Sequence, residues 1–368
     1  MLPATSSPRR SSPIGYCLAW IACAILAAHC CPASASPTVF TADNRNIQYG
    51  GRVDFSDRSQ PRFWAPGVTI DARFAGTSCE ILLNDQVLWG NYHNYIEVVI
   101  DGGEPRRLQT TGKVNDIVVA TDLAPGPHSL RICKDTESGI GYLELTGIKC
   151  DALLPPLPEP DRKIEFIGDS ITCGFGSDQR TVPCGKGAWY DQQNAYLSYG
   201  PTTARALGAQ WMVTAVSGIG LIHSWCNMQF VMPQVYGQTT DRPDGPKWDT
   251  NRFKPDIVTI CLGQNDGEVD SKVFDDAYVR FIETIRRDYP NAVIVCLGSP
   301  MADTQLRSYQ QENLTRIVSD LNDSGDWNVH DFFFSRQFGG GCGGHPDLES
   351  QKSMAAELTA YVRALMHW

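Results

Sequence analysis

The feature that most constrains the fold is a change in apolar spacing on either side of a proline-rich segment. Before this segment, apolar and polar residues alternate, and after it continuous apolar runs alternate with helical patterns. The segment, "LLPPLPEPDR" at 153–162, contains four prolines. Proline fixes φ and has no N–H to donate to a sheet, so residues 153–161 predict a stiff linker. A chain of 368 residues is long enough for a domain on each side.

Residues 36–152 have the period of two that is typical of half-buried strands. The run "VTIDARF" places Val68, Ile70, Ala72 and Phe74 on one face, and "YIEVVIDGG" leads into an Asp-Gly turn. Further short runs follow, separated by Pro, Gly and Asp, with no helical stretch between them. This spacing predicts an antiparallel β-sandwich.

Residues 162–368 predict an α/β domain. The runs "DIVTICLG" and "AVIVCLG" are apolar throughout, as in strands that are covered on both faces. Between them, one predicted helix carries an apolar stripe of Val273, Phe274, Ala277, Tyr278, Phe281, Ile282 and Ile285. Strand–helix alternation predicts a parallel sheet between helices, with ligands bound beyond the carboxyl ends of the strands.

Residues 1–35 are predicted to be a signal peptide. Arg9 and Arg10 precede an apolar run that ends in "ASAS", where Ala33 and Ala35 form an A-x-A cleavage pattern. A membrane anchor is the alternative, but it needs about 20 apolar residues and this run is shorter. We therefore expect a secreted protein, extracellular or periplasmic, with no membrane partner after cleavage.

Charge and cysteine content narrow the classes of partner. Removal of the two arginines changes the net charge from −10 to −12, which argues against nucleic acid and fits a neutral polysaccharide. Four of the 13 cysteines lie in residues 1–35, so an odd number remains. Cys184, Cys226 and Cys342 lie in loop-like sequence and are the candidates for a disulfide, with the pairing left open. No Cys/His spacing indicates zinc, and we expect no metal and no cofactor.

Four chemically distinctive residues follow predicted strands or precede the last helix. Ser170 in "IEFIGDSITCGFG" comes where a strand gives way to a helix, which suits a nucleophile or an N-cap. Gly218 ends "VTAVSGIG", Asn265 lies in "LGQND", and His345 lies in "GGGCGGHPD". Together they supply a nucleophile, oxyanion donors and a general base, which is the set that acyl transfer needs.

The blocks "GDSI", "SGIG", "GQND" and "HPD" resemble those of the SGNH, or GDSL-type, hydrolases. The chain from residue 36 onward is similar to carbohydrate esterase family 2, in which a jelly-roll-like β-sandwich precedes an SGNH domain. The resemblance implies removal of acetyl groups from plant-wall polysaccharide. It implies that Ser170 attacks the ester and that His345 moves the proton. The N–H groups of Ser170 and Gly218 and the Asn265 amide would bind the oxyanion.

The histidine block departs from the common pattern. Most SGNH hydrolases carry an Asp three residues before the histidine, and here that residue is Cys342. The resemblance implies a Ser-His dyad in which a backbone carbonyl of the 339–344 loop holds the imidazole. Asp347 is the nearest carboxylate and fits either an N-cap or a histidine partner, and Asp331 is a more distant alternative.

Aromatic and polar residues near these blocks are candidates for substrate contact. Trp225 can stack on a sugar ring or pack internally. His223, two residues earlier, can be read as a catalytic base, but contact with substrate or a structural role is favoured. Trp189 and Trp248 are weaker candidates of the same kind. The acidic stretch 266–270 is interpreted as a solvated loop rather than a metal site.

The sequence therefore predicts a secreted carbohydrate esterase that acts on acetylated xylan or glucomannan. Two alternatives stay open at this point. One is a general short-chain acyl esterase or lipase of the same fold, and the other is a non-catalytic carbohydrate-binding protein.

Overall fold

The computed structural model describes residues 37–368. Its N-terminal part is a β-sandwich of two antiparallel sheets that share one apolar core. One sheet has the strand order β1-β10-β5-β8 with β3 beside β10, and the other has the order β11-β4-β9-β6-β7 with β2 beside β4. The strands are β1 (Thr38–Thr41), β2 (Ile47–Gly50), β3 (Arg62–Phe63), β4 (Thr69–Ala75), β5 (Cys79–Asp85), β6 (Tyr95–Ile100), β7 (Arg106–Gln109), β8 (Val114–Ala120), β9 (Pro127–Lys134), β10 (Leu143–Cys150) and β11 (Ala152–Leu154). The predicted signal peptide lies outside the described residues.

The alternation of buried and less buried residues along β4 shows which face of this strand packs against the opposite sheet. Its even-numbered residues from Ile70 to Phe74, together with Val68, are at most 5% exposed. They pack in one cluster with residues of β5 and β10 from the opposite sheet, such as Ile81 and Leu145. Strand β11 pairs with β4, so the first two residues of the proline-rich segment belong to the sandwich.

A parallel sheet with the order β13-β12-β14-β15-β16 forms the second part. Helices α2 and α6 cover one face, and α4 and α5 cover the other. The elements are β12 (Lys163–Gly168), α1 (Ser170–Cys173), α2 (Tyr199–Ala206), β13 (Gln210–Ala215), α3 (Met232–Val235), β14 (Ile257–Cys261), α4 (Ser271–Asp288), β15 (Val293–Leu297), α5 (Thr304–Asp323), β16 (Val329–Phe332) and α6 (Leu348–Met366). This architecture confirms the predicted sandwich followed by an α/β domain.

The stripe predicted for α4 is buried except near the start of the helix. Phe274, Tyr278 and Phe281 are at most 1% exposed, whereas Val273 is 49% exposed. Val273 lies in the first turn of α4, whose bounds are Ser271–Asp288. Within residues 37–368, no helix is both long and apolar enough to cross a bilayer.

Buried polar contacts join the sandwich to the α/β domain. The Arg52 guanidinium, which is fully buried, donates to Glu165 Oε1 at 3.1 Å and to the carbonyls of Tyr236 and Gln238 at 2.5 and 2.6 Å. A second arginine, Arg107, donates to backbone carbonyls of the 191–193 segment. Because a buried charge is stable only when it is paired, these contacts hold the two parts in one arrangement.

Candidate active site

The strand order brings three of the predicted site residues to one edge of the parallel sheet. Ser170 follows β12, Gly218 follows β13 and Asn265 follows β14, and β12 lies between the other two strands. Gly168 at the end of β12 is in register with Ala215 and Cys261. The three loops therefore start side by side at the carboxyl ends of the strands.

Ser170 and His345 are in hydrogen-bond contact. The Nε2 atom of His345 lies 2.8 Å from Ser170 Oγ, within the distance needed for proton transfer. Ser170 is the first residue of α1, and Asp169 caps this helix by accepting from the Ile171 N–H at 2.9 Å. The cap is thus made by Asp169, which leaves the Ser170 hydroxyl free for the imidazole.

A backbone carbonyl fixes the tautomer of His345. Its Nδ1 atom lies 3.1 Å from the carbonyl oxygen of Cys342. Because a carbonyl can only accept, Nδ1 carries the proton and Nε2 is left as the acceptor for the serine O–H. This is the tautomer that a general base needs.

The loop that carries this carbonyl is tied down on both sides. Cys342 forms a disulfide with Cys184, and its N–H donates to the Gly176 carbonyl at 2.9 Å. Gly176 has a φ of +67°, and a Cβ there would lie 2.7 Å from the Cys342 carbonyl oxygen, so only glycine fits this approach. Of the three candidate disulfide residues, Cys226 is unpaired and exposed.

Asp347 caps the last helix and does not contact the imidazole, which corrects one of the roles considered for it. Its Oδ1 accepts from the Ser350 N–H at 2.8 Å, at the start of α6. The Nδ1 position that it would occupy is taken by the Cys342 carbonyl. Asp331 lies in β16 and accepts from the Thr315 hydroxyl, so it is not at the site either.

Asn265 lies between the segments that carry the two predicted backbone donors. Its Nδ2 donates to Asp169 Oδ2 at 3.1 Å and to the Ile219 carbonyl at 2.9 Å. Asp169 and Ile219 are the chain neighbours of Ser170 and Gly218. Within residues 37–368 the Gly218 N–H has no hydrogen-bond partner, as an oxyanion donor requires. The oxyanion roles of the Ser170 and Gly218 N–H groups stay predictions that this arrangement permits. The oxyanion role of Asn265 also stays a prediction, but both of its amide hydrogens are engaged, so it requires that one of these two bonds be given up.

Burial shifts the pKa values of two groups at the site. It lowers the pKa of the His345 imidazole, and hydrogen bonds to backbone carbonyls oppose this shift. Burial raises the pKa of the Asp169 carboxyl to about 7, against the opposing effect of the Ile171 N–H. His345 is therefore neutral, and ready to accept a proton, at pH 7.

Two of the predicted substrate contacts lie on the loop after Gly218. Trp225 is 66% exposed and lies close to Gly218: a Cβ atom added to Gly218 would be 3.5 Å from the Trp225 Cβ. His223 is exposed and its N–H donates to Asp266. The substrate roles of both residues stay predictions.

Asp266 organises the loop after Gly218. Its carboxylate accepts from the N–H groups of Leu221, Ile222 and His223 at 2.5–2.9 Å, and the residue is 7% exposed. The interpretation of this aspartate as part of a solvated loop is therefore wrong.

An aromatic wall of Phe175 and Trp189 adjoins the imidazole, and of these two residues only Trp189 is a candidate from the sequence. The Phe175 ring lies 4.6 Å from the His345 ring, centroid to centroid, and Trp189 stacks on Phe175 at 6.0 Å. The Trp189 indole N–H donates to the Tyr92 hydroxyl of the sandwich at 3.3 Å. Trp248, by contrast, is buried against Met212 and Phe253 and does not belong to this wall.

No other feature of the described residues competes with this location. One cavity of about 620 Å³ lies beneath the proline-rich segment, and another of about 660 Å³ is lined by residues of α4 and α5. None of the residues that line either cavity belongs to the strand-end loops. In the part of the chain from residue 37 onward, no group of His, Cys, Asp and Glu is placed to hold a metal ion.

Comparison with known proteins agrees with the geometry. Residues 49–160 match the family model "Carbohydrate esterase 2 N-terminal", and residues 166–352 match the "GDSL-like Lipase/Acylhydrolase family". A solved family two carbohydrate esterase from Clostridium thermocellum, in complex with cellohexaose, superposes with a TM-score of 0.80 at 31% identity. The match covers 88% of this chain and 99% of that one.

Curated relatives give the same result. An acetylxylan esterase / glucomannan deacetylase of Cellvibrio japonicus is 29% identical, and the match covers 91% of this chain and 93% of the relative. The cellulase/esterase CelE of Acetivibrio thermocellus is 31% identical over 89% of this chain. The chain spans only 40% of the length of CelE, so it corresponds to one part of that protein.

The first prediction concerns the carbonyl on Nδ1. Removing the carboxylate from a full triad lowers kcat about 10⁴-fold. We expect Asp347→Asn to lower kcat far less than this, because Asn also caps helices and the imidazole does not use Asp347. His345→Ala should be as severe as Ser170→Ala. The measurement is kcat for p-nitrophenyl acetate together with the melting temperature. A collapse of kcat in Asp347→Asn at an unchanged melting temperature would contradict the dyad.

The second prediction concerns pH. His345 accepts a proton only when neutral, so kcat/KM should fall with acid as the pH drops through its lowered pKa, below about 6.5. Asp169→Asn keeps a capping oxygen and removes the carboxyl that titrates near 7. The acid-side fall of kcat/KM should persist in this variant, with its midpoint below about pH 6.5. A midpoint above pH 6.5 in Asp169→Asn would show that the imidazole does not have a lowered pKa.

Proposed function

The chain belongs to carbohydrate esterase family 2, and we propose that it removes O-acetyl groups from xylan or glucomannan of the plant cell wall. The observation that carries the chemistry is the Ser170–His345 pair at 2.8 Å, with Nδ1 on a carbonyl. It supplies a nucleophile and a base in the required tautomer without a carboxylate.

The first half of the reaction acylates Ser170. As Ser170 Oγ attacks the acetyl carbonyl, Nε2 of His345 takes the hydroxyl proton. The oxyanion of the tetrahedral intermediate accepts hydrogen bonds from the predicted backbone donors, which are fixed before the reaction begins. The intermediate collapses to acetyl-serine, and the imidazolium gives its proton to the leaving sugar oxygen, which departs as a hydroxyl group.

The second half restores the enzyme. His345 takes a proton from water, and the resulting hydroxide attacks the acetyl-serine carbonyl. A second tetrahedral intermediate collapses, the imidazolium protonates Ser170 Oγ, and acetic acid departs and ionises to acetate in solvent. The Cys342 carbonyl holds Nδ1–H throughout, but it offers the imidazolium less charge stabilisation than a carboxylate would.

Aromatic surface beside the imidazole supports a carbohydrate substrate. Trp189 is 44% exposed and stacks on Phe175, which in turn contacts the His345 ring. Pyranose rings present apolar C–H faces that aromatic rings cover. The net charge of −10 also disfavours polyanionic substrates and suits a neutral glycan.

We also propose that the protein is secreted. The basic start, short apolar run and A-x-A pattern of residues 1–35 support export, and the Cys184–Cys342 disulfide suits an oxidising compartment. Recovery of the chain from medium or periplasm with an N-terminus near residue 36 would support this, and recovery only from cytoplasm would contradict it.

Acetate release tests the function. Purified protein is incubated with acetylated xylan, acetylated glucomannan, p-nitrophenyl acetate and p-nitrophenyl laurate, and free acetate or nitrophenol is measured. We expect turnover of the acetylated glycans and the small acetate, and a loss of up to about 10⁶-fold in Ser170→Ala. Preference for laurate would identify a lipase. Glycan binding without turnover would identify a carbohydrate-binding protein.

The third prediction concerns the aromatic wall. Trp189→Ala should raise KM for acetylated polysaccharide about 10-fold, which corresponds to loss of about 1.4 kcal/mol of stacking. KM for p-nitrophenyl acetate should change little, because this ester is too small to cover the indole. Trp327→Ala is the matched control, since Trp327 is 68% exposed but precedes β16, at the opposite edge of the sheet. Equal effects of the two substitutions would contradict a role for Trp189 in glycan binding.

A further inference from the structure

A carboxylate of the sandwich contacts the two segments that carry the predicted backbone oxyanion donors. Glu137 follows β9 and is 2% exposed. Its Oε2 atom accepts from the Ser217 N–H at 2.5 Å and from the Cys173 thiol at 3.3 Å. Both partners belong to the α/β domain, so this oxygen crosses the junction between the two parts of the chain.

The two partners belong to the segments that carry the backbone donors. Ser217 directly precedes Gly218, and Cys173 is the last residue of the single-turn helix that begins with Ser170. The Ser217 N–H and the Gly218 N–H are successive amides, so the direction of one limits the direction of the next. One oxygen of Glu137 therefore contacts both donor-bearing segments.

We propose that Glu137 is a positioning residue that holds the Gly218 amide and the Ser170 helix in the arrangement required for oxyanion binding. The inference rests on the proposed esterase function. The sandwich would then contribute to the reaction without touching the reacting atoms. Glu137 lies outside the four sequence blocks, so those blocks did not predict this role.

The surroundings of Glu137 suit an acceptor. Its two partners are both donors, so a charged carboxylate satisfies them and a protonated one does so less well. Burial is the larger effect and raises the pKa of the Glu137 carboxyl above its usual value. The Ser217 and Cys173 donors and the Lys134 ammonium oppose this rise. Gln193 Oε1 of the α/β domain also accepts from the Glu137 N–H at 3.3 Å, which anchors the backbone beneath the side chain.

Loss of this contact should affect the transition state more than the bound substrate. The oxyanion forms only as the ester carbonyl becomes tetrahedral, so a misdirected donor lowers kcat and leaves KM nearly unchanged. Misplacement by about 1 Å, or loss of one donor, can each lower the rate about 10²-fold.

Three variants at position 137 test the proposal with p-nitrophenyl acetate. Glu137→Ala removes the acceptor, and we expect kcat to fall about 10²-fold at a nearly constant KM. Glu137→Gln keeps an oxygen that can accept from the Ser217 N–H and should retain kcat within about 10-fold of wild type. Glu137→Asp keeps the charge but withdraws the oxygens by one methylene, so it should resemble the alanine variant and serves if that variant does not fold.

A second readout separates positioning from stability. Small alkyl boronic acids form a tetrahedral adduct on a reactive serine, and the adduct places an oxygen in the oxyanion hole. Their inhibition constant should rise in parallel with the loss of kcat in Glu137→Ala and Glu137→Asp. A purely structural role would lower the folded fraction, measured by melting temperature and circular dichroism, without this parallel.

Glu165→Gln is the matched control. Glu165 is also a fully buried carboxylate at the junction of the two parts, but its partners are Arg52, Thr214 and Tyr236. Glutamine keeps an oxygen that can accept from Arg52, so the two parts of the chain stay docked and Glu137 stays on the Ser217 amide. The loss of one charge should therefore lower the melting temperature and leave kcat and boronate inhibition unchanged. Equal kinetic losses in Glu165→Gln and Glu137→Ala would overturn the proposal, as would unchanged kcat or a change confined to KM in folded Glu137→Ala and Glu137→Asp. A wild-type protein that releases no acetate would overturn the proposed function instead.

Discussion

The buried Arg52 guanidinium sets the relation between the two parts of the chain on which the rest of the structure depends. A full positive charge with no exposure to water is stable only while its partners surround it. Those partners are Glu165, Asp241 and two backbone carbonyls, all in the α/β domain. Separation of the sandwich would leave these charges to be hydrated again and would remove Glu137 from the Ser217 amide. The junction therefore supports the site as well as the fold.

The loop at 339–344 orients the His345 imidazole without a carboxylate. A carboxylate would both fix the tautomer of His345 and stabilise the imidazolium. The Cys342 carbonyl does only the first, but it is dipolar and cannot change protonation state. The disulfide to Cys184 and the close approach of Gly176 keep this carbonyl in place. Rigidity of the loop thus supplies the orientation that charge supplies in a triad.

Much of the site could be predicted because parallel strands place their carboxyl ends on one edge. Once "GDSI", "SGIG" and "GQND" were assigned to strand ends, Ser170, Gly218 and Asn265 had to lie near one another, and sheet order then made their strands neighbours. The replacement of an aspartate by Cys342 was also readable, and it led to a carbonyl as one option for Nδ1. Asp347 was ambiguous because a carboxylate two residues after a histidine and just before a helix suits both roles, and only the geometry distinguishes them.

The residues that escaped prediction have partners far away in the chain. Glu137 meets Ser217 across 80 residues, and Arg52 meets Glu165 across 113. Apolar periodicity identifies which face of a strand is buried, but it carries no information about which polar loop residue will meet another after two domains dock. A buried carboxylate is rare enough that its position calls for a physical reason. The burial of Glu165 is explained by its ion pair with Arg52. The Glu137 side chain instead accepts from a backbone amide beside Gly218 and from a thiol on the Ser170 helix, so we explain its burial by the geometry of the site.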